Sequence, residues 1–272
     1  MSVRTYNPNV RVGNWNEDLC LEEDLLKDFI DKKEKGELLI YKSHNLSSKI
    51  LQNVELSNWS DGYLRFGDTV CLYHPENEVN LVINLSDSRL HEDEVVKAPC
   101  GVSASKILQP CFRNAFVITS ADGSDKPGDF LTFGKHIVLS TLPGIGGELK
   151  LCSDRATFMK SAKKSRYNDC FLVSSVSYLC HWQILHNDPQ QRLESEGMPV
   201  PMNQKVNINH CKTNERLATM SDISGRTPFG WENEVVTHTF LDSHKAEQSE
   251  NHWVMIGGGT ESHKSETPQE VH

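Results

Sequence analysis

Apolar residues along this chain follow two periods. Between residues 17 and 34 they recur at helical spacing, with Leu21, Leu25 and Phe29 on one face, Lys32 continuing it, and Leu26 and Ile30 beside them. Asn16 stands where an N-cap belongs, and Glu17 and Asp18 follow in a first turn where carboxylates favour the helix dipole. Gly36 stands where a helix stops, so the spacing predicts a helix of about 18 residues. Its apolar stripe needs a surface to lie on, either the rest of the chain or a partner. From residue 61 onward the period falls to two. Runs at 63–66 and 70–73 flank the turn Gly67-Asp68, and short runs follow at 130–133, 137–139, 206–208, 235–240 and 252–256. Polar, glycine- and proline-rich loops separate them, as at 122–128. Many short strands in one stretch predict an all-β barrel or sandwich.

The strand pattern also repeats. Phe66-Gly67-Asp68 and Phe133-Gly134-Lys135 open two similar segments, and Met202-Asn203-Gln204 opens a more diverged third. Gly67 and Gly134 lie 67 residues apart, and Gly134 and Asn203 lie 69 apart. A Ser-Asp pair follows each turn: Ser86-Asp87, Ser153-Asp154 and Ser221-Asp222. Each unit also contains an aromatic-led apolar run, at 116–118, 171–173 and 253–256. Three related units predict an architecture built by closing a repeat. The expected fold is mainly β: a β-trefoil-like body over residues 61–256 with pseudo-threefold symmetry. It follows an N-terminal arm and helix (1–60) and precedes a tail (257–272), without apolar pattern, that is disordered or ordered by a partner. The units are longer than such a fold needs, so insertions must leave as surface loops.

Composition narrows the chemistry. The 272 residues carry a net charge of −9 and a pI near 5.7, which argues against general nucleic-acid binding. No apolar run is long enough to span a membrane, and the first residues lack the apolar core of a secretion signal, so a protein that is cytosolic, or part of a structure assembled from the cytosol, is expected. Eight cysteines without a Cys-x-x-Cys pair are then expected to be free thiols, with Cys71 and Cys152 as small buried residues. The histidines, including Cys180-His181 and His210-Cys211, have no zinc-finger spacing, so no metal and no cofactor are expected. Neither a nucleophile elbow nor a phosphate loop is present; the glycines at 143–147 fit a hairpin loop. The Ser-Asp pairs fit turns and strand ends better than a threefold set of sugar sites, for no aromatic platform recurs beside all three. Two features suit binding. Lys160, Lys163, Lys164 and Arg166 form a basic patch suited to an acidic partner, and the extended segment holding Val12, Asn14 and Trp15 offers an aromatic anchor or a plug for the core.

Residues 10–18, 208–218, 238–244 and 251–253, in this order, resemble the cilia- and flagella-associated protein 161 family: Val10-Arg11-Val12-Gly13-Asn14-Trp15, Asn209-His210-Cys211-Lys212, His238-Thr239-Phe240-Leu241-Asp242 and Asn251-His252-Trp253. The resemblance covers residues 4 to 256 and not the tail. It implies a non-enzymatic microtubule inner protein of motile cilia, located in the axonemal cytoskeleton, with α/β-tubulin of the doublet A-tubule and other inner proteins as partners. The repeats also resemble MIR-type trefoils. Tubulin is acidic, so a chain of charge −9 would bind it through local charge complementarity and apolar contact. The 160–166 patch would meet acidic tubulin surface, and the segment through Trp15, with the helix after it, would reach a neighbouring tubulin or another inner protein. The rival expectations are a cytosolic glycan- or small-ligand-binding trefoil, with a pocket beside a Ser-Asp pair, and a hydrolase assembled from loops.

Overall fold

The three turns of the repeat share one backbone conformation. Gly67, Gly134 and Asn203 have φ of +91°, +86° and +58°. This left-handed region is open to glycine and, among side-chain-bearing residues, most readily to asparagine. The amides of these residues donate to the carbonyls of Ile118, Ile184 and Met255 at 2.8, 3.1 and 3.0 Å. Just upstream, Leu64 N donates to Val200 O (2.9 Å), Val200 N to Leu131 O (2.8 Å) and Leu131 N to Leu64 O (2.9 Å). All three residues are fully buried. This cyclic triangle of backbone bonds closes around the pseudo-threefold axis.

The computed structural model describes residues 15–36, 38 and 46–258, without the side chains of 15–18, 91 and 92. Twelve strands lie among the described residues. Six form a closed ring: β1 (Thr69–His74), β4 (Ala115–Ser120), β5 (His136–Thr141), β8 (Trp182–His186), β9 (Lys205–His210) and β12 (His252–Ile256), each antiparallel to the next, with β12 returning to β1. The other six make three hairpins: β2 (Val79–Asn84) with β3 (Cys100–Ser105), β6 (Lys150–Ser153) with β7 (Asn168–Val173), and β10 (Glu215–Thr227) with β11 (Gly230–Thr237). Their second strands pair with one another, β3 with β7, β7 with β11 and β11 with β3, so the hairpins form a triangular cap on the barrel. This connectivity agrees with the trefoil-like expectation. The glycines at 143–147 join β5 to β6, as the hairpin-loop reading expects.

Alternation along the ring strands makes the core. Each strand turns two buried side chains inward: Val70 and Leu72, Phe116 and Ile118, Ile137 and Leu139, Trp182 and Ile184, Val206 and Ile208, Trp253 and Met255. Each contributes about 1.5–3 kcal/mol by leaving water. The buried indoles also satisfy their N–H groups: Trp182 donates to Leu151 O in β6 at 2.8 Å, and Trp253 to Leu217 O in β10 at 3.0 Å. Phe116 has no such group. In its unit the buried Arg113 donates from Nε to Ile83 O in β2 at 2.9 Å, and its Nη2 lies 2.7 Å from Glu232 of β11. This ion pair ties the first unit to the third hairpin.

Several expectations are corrected. The aromatic-led run at 171–173 lies in β7 of the cap, and the true counterpart of Phe116 and Trp253 is Trp182. Residues 63–66 and 130–133 make isolated bridges rather than strands. The helix, α1 (Trp15–Glu34), begins before Asn16, so Trp15 and Asn16 lie in its first turn rather than in an extended arm and a cap. The first amides of any helix need no partner within it, which lets the helix run back to Trp15. Gly36, at φ +69°, ends it as expected. The helical extension is therefore minor. Leu46 and Ile50, on a helical turn at 46–50, are buried in the core of the body. Cys152 and Cys180 form a buried disulfide rather than free thiols; the other six cysteines are free. Nothing in their spacing of 28 residues marks the pair, because only barrel closure brings β6 against the turn before β8.

At the other end, Gly257 and Gly258 pack on the backbone that precedes β1. A Cβ on Gly257 would lie 2.7 Å from Ser57 O and 2.8 Å from Met202 Sδ, and one on Gly258 2.6 Å from Leu56 O. The rest of the tail, from 259, is outside the described residues.

Candidate partner-binding surface

The basic patch sits on the loop between β6 and β7, and that loop is held at several points. Thr157 N donates to Lys160 O (2.7 Å) and Lys160 N to Thr157 O (3.2 Å), closing a tight turn. Ala156 N is bound by Asn168 Oδ1 at 2.7 Å, and Ala162 N by Tyr167 O at 2.9 Å. The Ala162 side chain is buried with Ala218, Met220 and Val236. Lys160, Lys163, Lys164 and Arg166 are all exposed. The Lys164 ammonium is bound to Ser224 O, whereas among the described residues Lys160, Lys163 and Arg166 make no side-chain hydrogen bond or ion pair. Their charges face solvent on a held backbone, which suits a charged partner more than a fold-stabilising role. Sequence reasoning found these cations but missed their apolar neighbours, Phe158 and Met159, which belong to no strand-like period.

Val12 and Asn14 lie outside the described residues, as does the side chain of Trp15. What the structure does show is the helix beyond them. Leu19, Leu21, Leu25, Leu26, Phe29 and Ile30 are between 41% and 61% exposed, so among the described residues nothing buries the apolar stripe of α1. Eight carboxylates and three lysines in α1 leave this helix at −5.

The other candidate chemistry is dispersed. Ser86 precedes the short helix Asp87–Glu92 without a side-chain capping bond. Ser153 bonds Asp169 O (2.9 Å) and Thr237 Oγ1 (2.7 Å), and the Lys212 ammonium beside Asp154 holds its carboxyl below the usual range. Ser221 and Asp222 are exposed where the β10–β11 register shifts. Position repeats but chemistry does not. A cleft of about 380 Å³ does open beside Ser86 and Asp87, bordered also by Arg89, Lys163 and Arg226, but no aromatic ring among the described residues lines it. Among the histidines, His210 is buried, with Nε2 2.8 Å from Leu179 O and Nδ1 2.9 Å from Thr213 Oγ1. The carbonyl requires an Nε2–H, which leaves Nδ1 as acceptor. Among the described residues no group of His, Cys, Asp or Glu is placed to hold a metal ion, and no helix is long and apolar enough to cross a membrane.

Comparison with known proteins follows the same boundaries. The cilia- and flagella-associated protein 161-like domain matches residues 42–258, from just before the first core residue to the packed glycines. The cilia- and flagella-associated protein 161 of Danio rerio is 44% identical over 265 residues, covering 93% of this chain and 88% of that protein. Its counterpart in Bos taurus is 41% identical over 270 residues, covering 95% and 84%. Among solved structures, the SDF2-like protein from Arabidopsis thaliana superposes with a TM-score of 0.53 at 14% identity, over 71% of this chain and 94% of that one. A Caenorhabditis elegans protein of unknown function gives 0.55 at 15% identity, over 74% and 99%. The structural likenesses establish a shared fold and nothing more. The sequence relatives go further: they match over more than nine-tenths of its length, and the chain belongs to the cilia- and flagella-associated protein 161 family.

Proposed function

We propose that this chain is a structural, non-enzymatic microtubule inner protein, bound to the luminal wall of the axonemal A-tubule, where it supports the beating of motile cilia. Its body is read as an MIR-like β-trefoil, rigid because every ring strand is paired on both sides. Its partners are α/β-tubulin and other inner proteins. The observation that carries this reading, beyond family membership, is α1: an amphipathic helix of 20 residues whose apolar side chains stay 41–61% exposed among the described residues. A helix of this kind completes its burial on a partner, laying its apolar face into a groove. With a charge of −5 it suits a neighbour with a basic rim, while the 160–166 loop suits acidic tubulin. Repetition along a lattice lets weak contacts add.

One observation favours the glycan-binding reading, namely the cleft beside Ser86-Asp87. The absence of an aromatic platform along it counts against that reading.

The test is fractionation. The tagged protein, expressed in a motile ciliated cell, is followed while axonemes are extracted with rising salt and detergent. Retention with the doublets until the wall itself is broken is the expected result. Release with the membrane and matrix fraction would remove the inner-protein reading and leave glycan binding as the next assay.

A further inference from the structure

We propose that the β6–β7 loop and the end of the β10–β11 hairpin together form a docking face for an acidic protein surface, with Phe158, Met159 and Trp231 as its apolar anchors and Lys163 and Arg226 as its central cations. The proposal rests on the reading above, in which that surface belongs to tubulin.

The two segments are far apart in sequence but held together in space. Glu234 of β11 accepts from Lys164 N at 3.0 Å through Oε1 and from Ser165 N at 2.9 Å through Oε2. The Lys164 ammonium returns the link by binding Ser224 O in β10. Lys163 and Arg226 then border one cleft from opposite segments. Glu234 thus acts as a positioning residue.

Both segments present their anchors on fixed backbone. The turn closed between Thr157 and Lys160 carries Phe158 and Met159 at its tip, where they are 99% and 86% exposed. Trp231 is 71% exposed and lies opposite Arg226 in the hairpin ladder. The hairpin turn is tied by Thr227, whose Oγ1 donates to Gly230 O (3.1 Å) and accepts from Phe229 N (3.2 Å). Phe229 in turn lies under the buried Arg113 guanidinium, 3.9 Å from its ring centroid. Exposed aromatic and methionine side chains on a held scaffold are what interface anchors look like before their partner arrives, since little ordering remains to be done on binding.

Charge selects the partner. Lys160, Lys163, Arg166 and Arg226 make no side-chain hydrogen bond or ion pair among the described residues, on a chain whose net charge is −9. A cationic island on an acidic protein is complementary to an acidic surface in a way that the whole molecule is not. Asp169, Glu232 and Glu234 line the same cleft, and this interleaving of carboxylates disfavours a continuous phosphate track. A protein surface, with acidic groups around apolar sockets, fits better than a nucleic acid or an anionic membrane.

The experiment uses the full chain and open tubulin sheets, in which both faces of the wall are accessible, and measures co-sedimentation against salt. The variants are F158A/M159A, W231A and K163E/R226E. All these side chains are exposed, so unfolding temperatures should match the wild type. Each variant is expected to bind at least about tenfold more weakly, a loss of about 1.4 kcal/mol, and K163E/R226E is expected to flatten the salt dependence. Variants that bind as tightly as the wild type overturn this face while leaving the luminal reading intact. A wild-type chain that ignores the sheets overturns both. Tighter binding to RNA or to phosphatidylserine vesicles, abolished by the same substitutions, keeps the face but overturns the partner.

Discussion

Asn203 stands where the first two units have glycine, and its φ of +58° shows why the repeat could diverge there. The position demands a left-handed backbone, and the choice among residues is set by that demand. Asn203→Gly should leave stability almost unchanged, whereas Asn203→Val should cost about 1–2 kcal/mol, read as a shift in the denaturation midpoint. Equal stability of the two variants would contradict the backbone explanation. This residue also marks what was legible in the sequence. The turn motif, with its 67- and 69-residue spacing, was visible because the same left-handed conformation recurs three times. The close approach at Gly257 was not visible, because a glycine that makes room for Ser57 O and Met202 Sδ looks the same as one in a loose tail.

Among elements, ring strands and cap strands differ in how well sequence distinguishes them. Both bury apolar residues, so Phe171-Leu172-Val173 in β7 looks like a ring strand, and Trp182-Gln183-Ile184, which is one, is masked by polar neighbours. Partner strands decide the matter, and pairing is a long-range fact. The helix is the opposite case: local spacing predicted α1 to within two residues at its start, yet gave no hint of where its apolar stripe goes. The basic loop is intermediate, since its cations stand out in the sequence while the grip of Glu234 on it appears only in three dimensions. Because Leu26 and Phe29 are exposed, Leu26→Glu with Phe29→Glu should change the stability of the chain by no more than about 0.5 kcal/mol, read by thermal unfolding. The same variant should release the protein from axonemes at lower salt. A large thermal destabilisation would instead mean that α1 packs on its own body.

At the scale of the whole molecule, buried histidines link the barrel to pH. Burial holds His74, His210 and His252 below their ordinary value of 6.5. Near that pH the unfolded chain takes up protons that the folded chain refuses, so the unfolded state binds more and stability falls as pH falls. The stabilisation is complete above about pH 6.5 and is lost progressively below it. Asp154 and Glu247, held below their usual range, act in the same direction only under more acidic conditions. Thermal unfolding should therefore occur a few degrees lower at pH 5.5 than at pH 7.5, and His210→Gln, weaker at the outset, should lose less over that interval. An unchanged unfolding temperature would mean that these rings protonate as freely in the fold as out of it.

The return of β12 to β1 has a further consequence. A sheet with open margins offers unpaired amides and carbonyls to any neighbour of the same kind, and molecules held side by side at high density are then prone to fuse strand to strand. Here the six-stranded ring has no margin, and the second strands of the three cap hairpins pair with one another. If copies stand side by side along a lattice, as the proposed function has it, their barrels offer one another no strand edge, and contacts form through side chains on loops and the helix, where sequence can choose the partner.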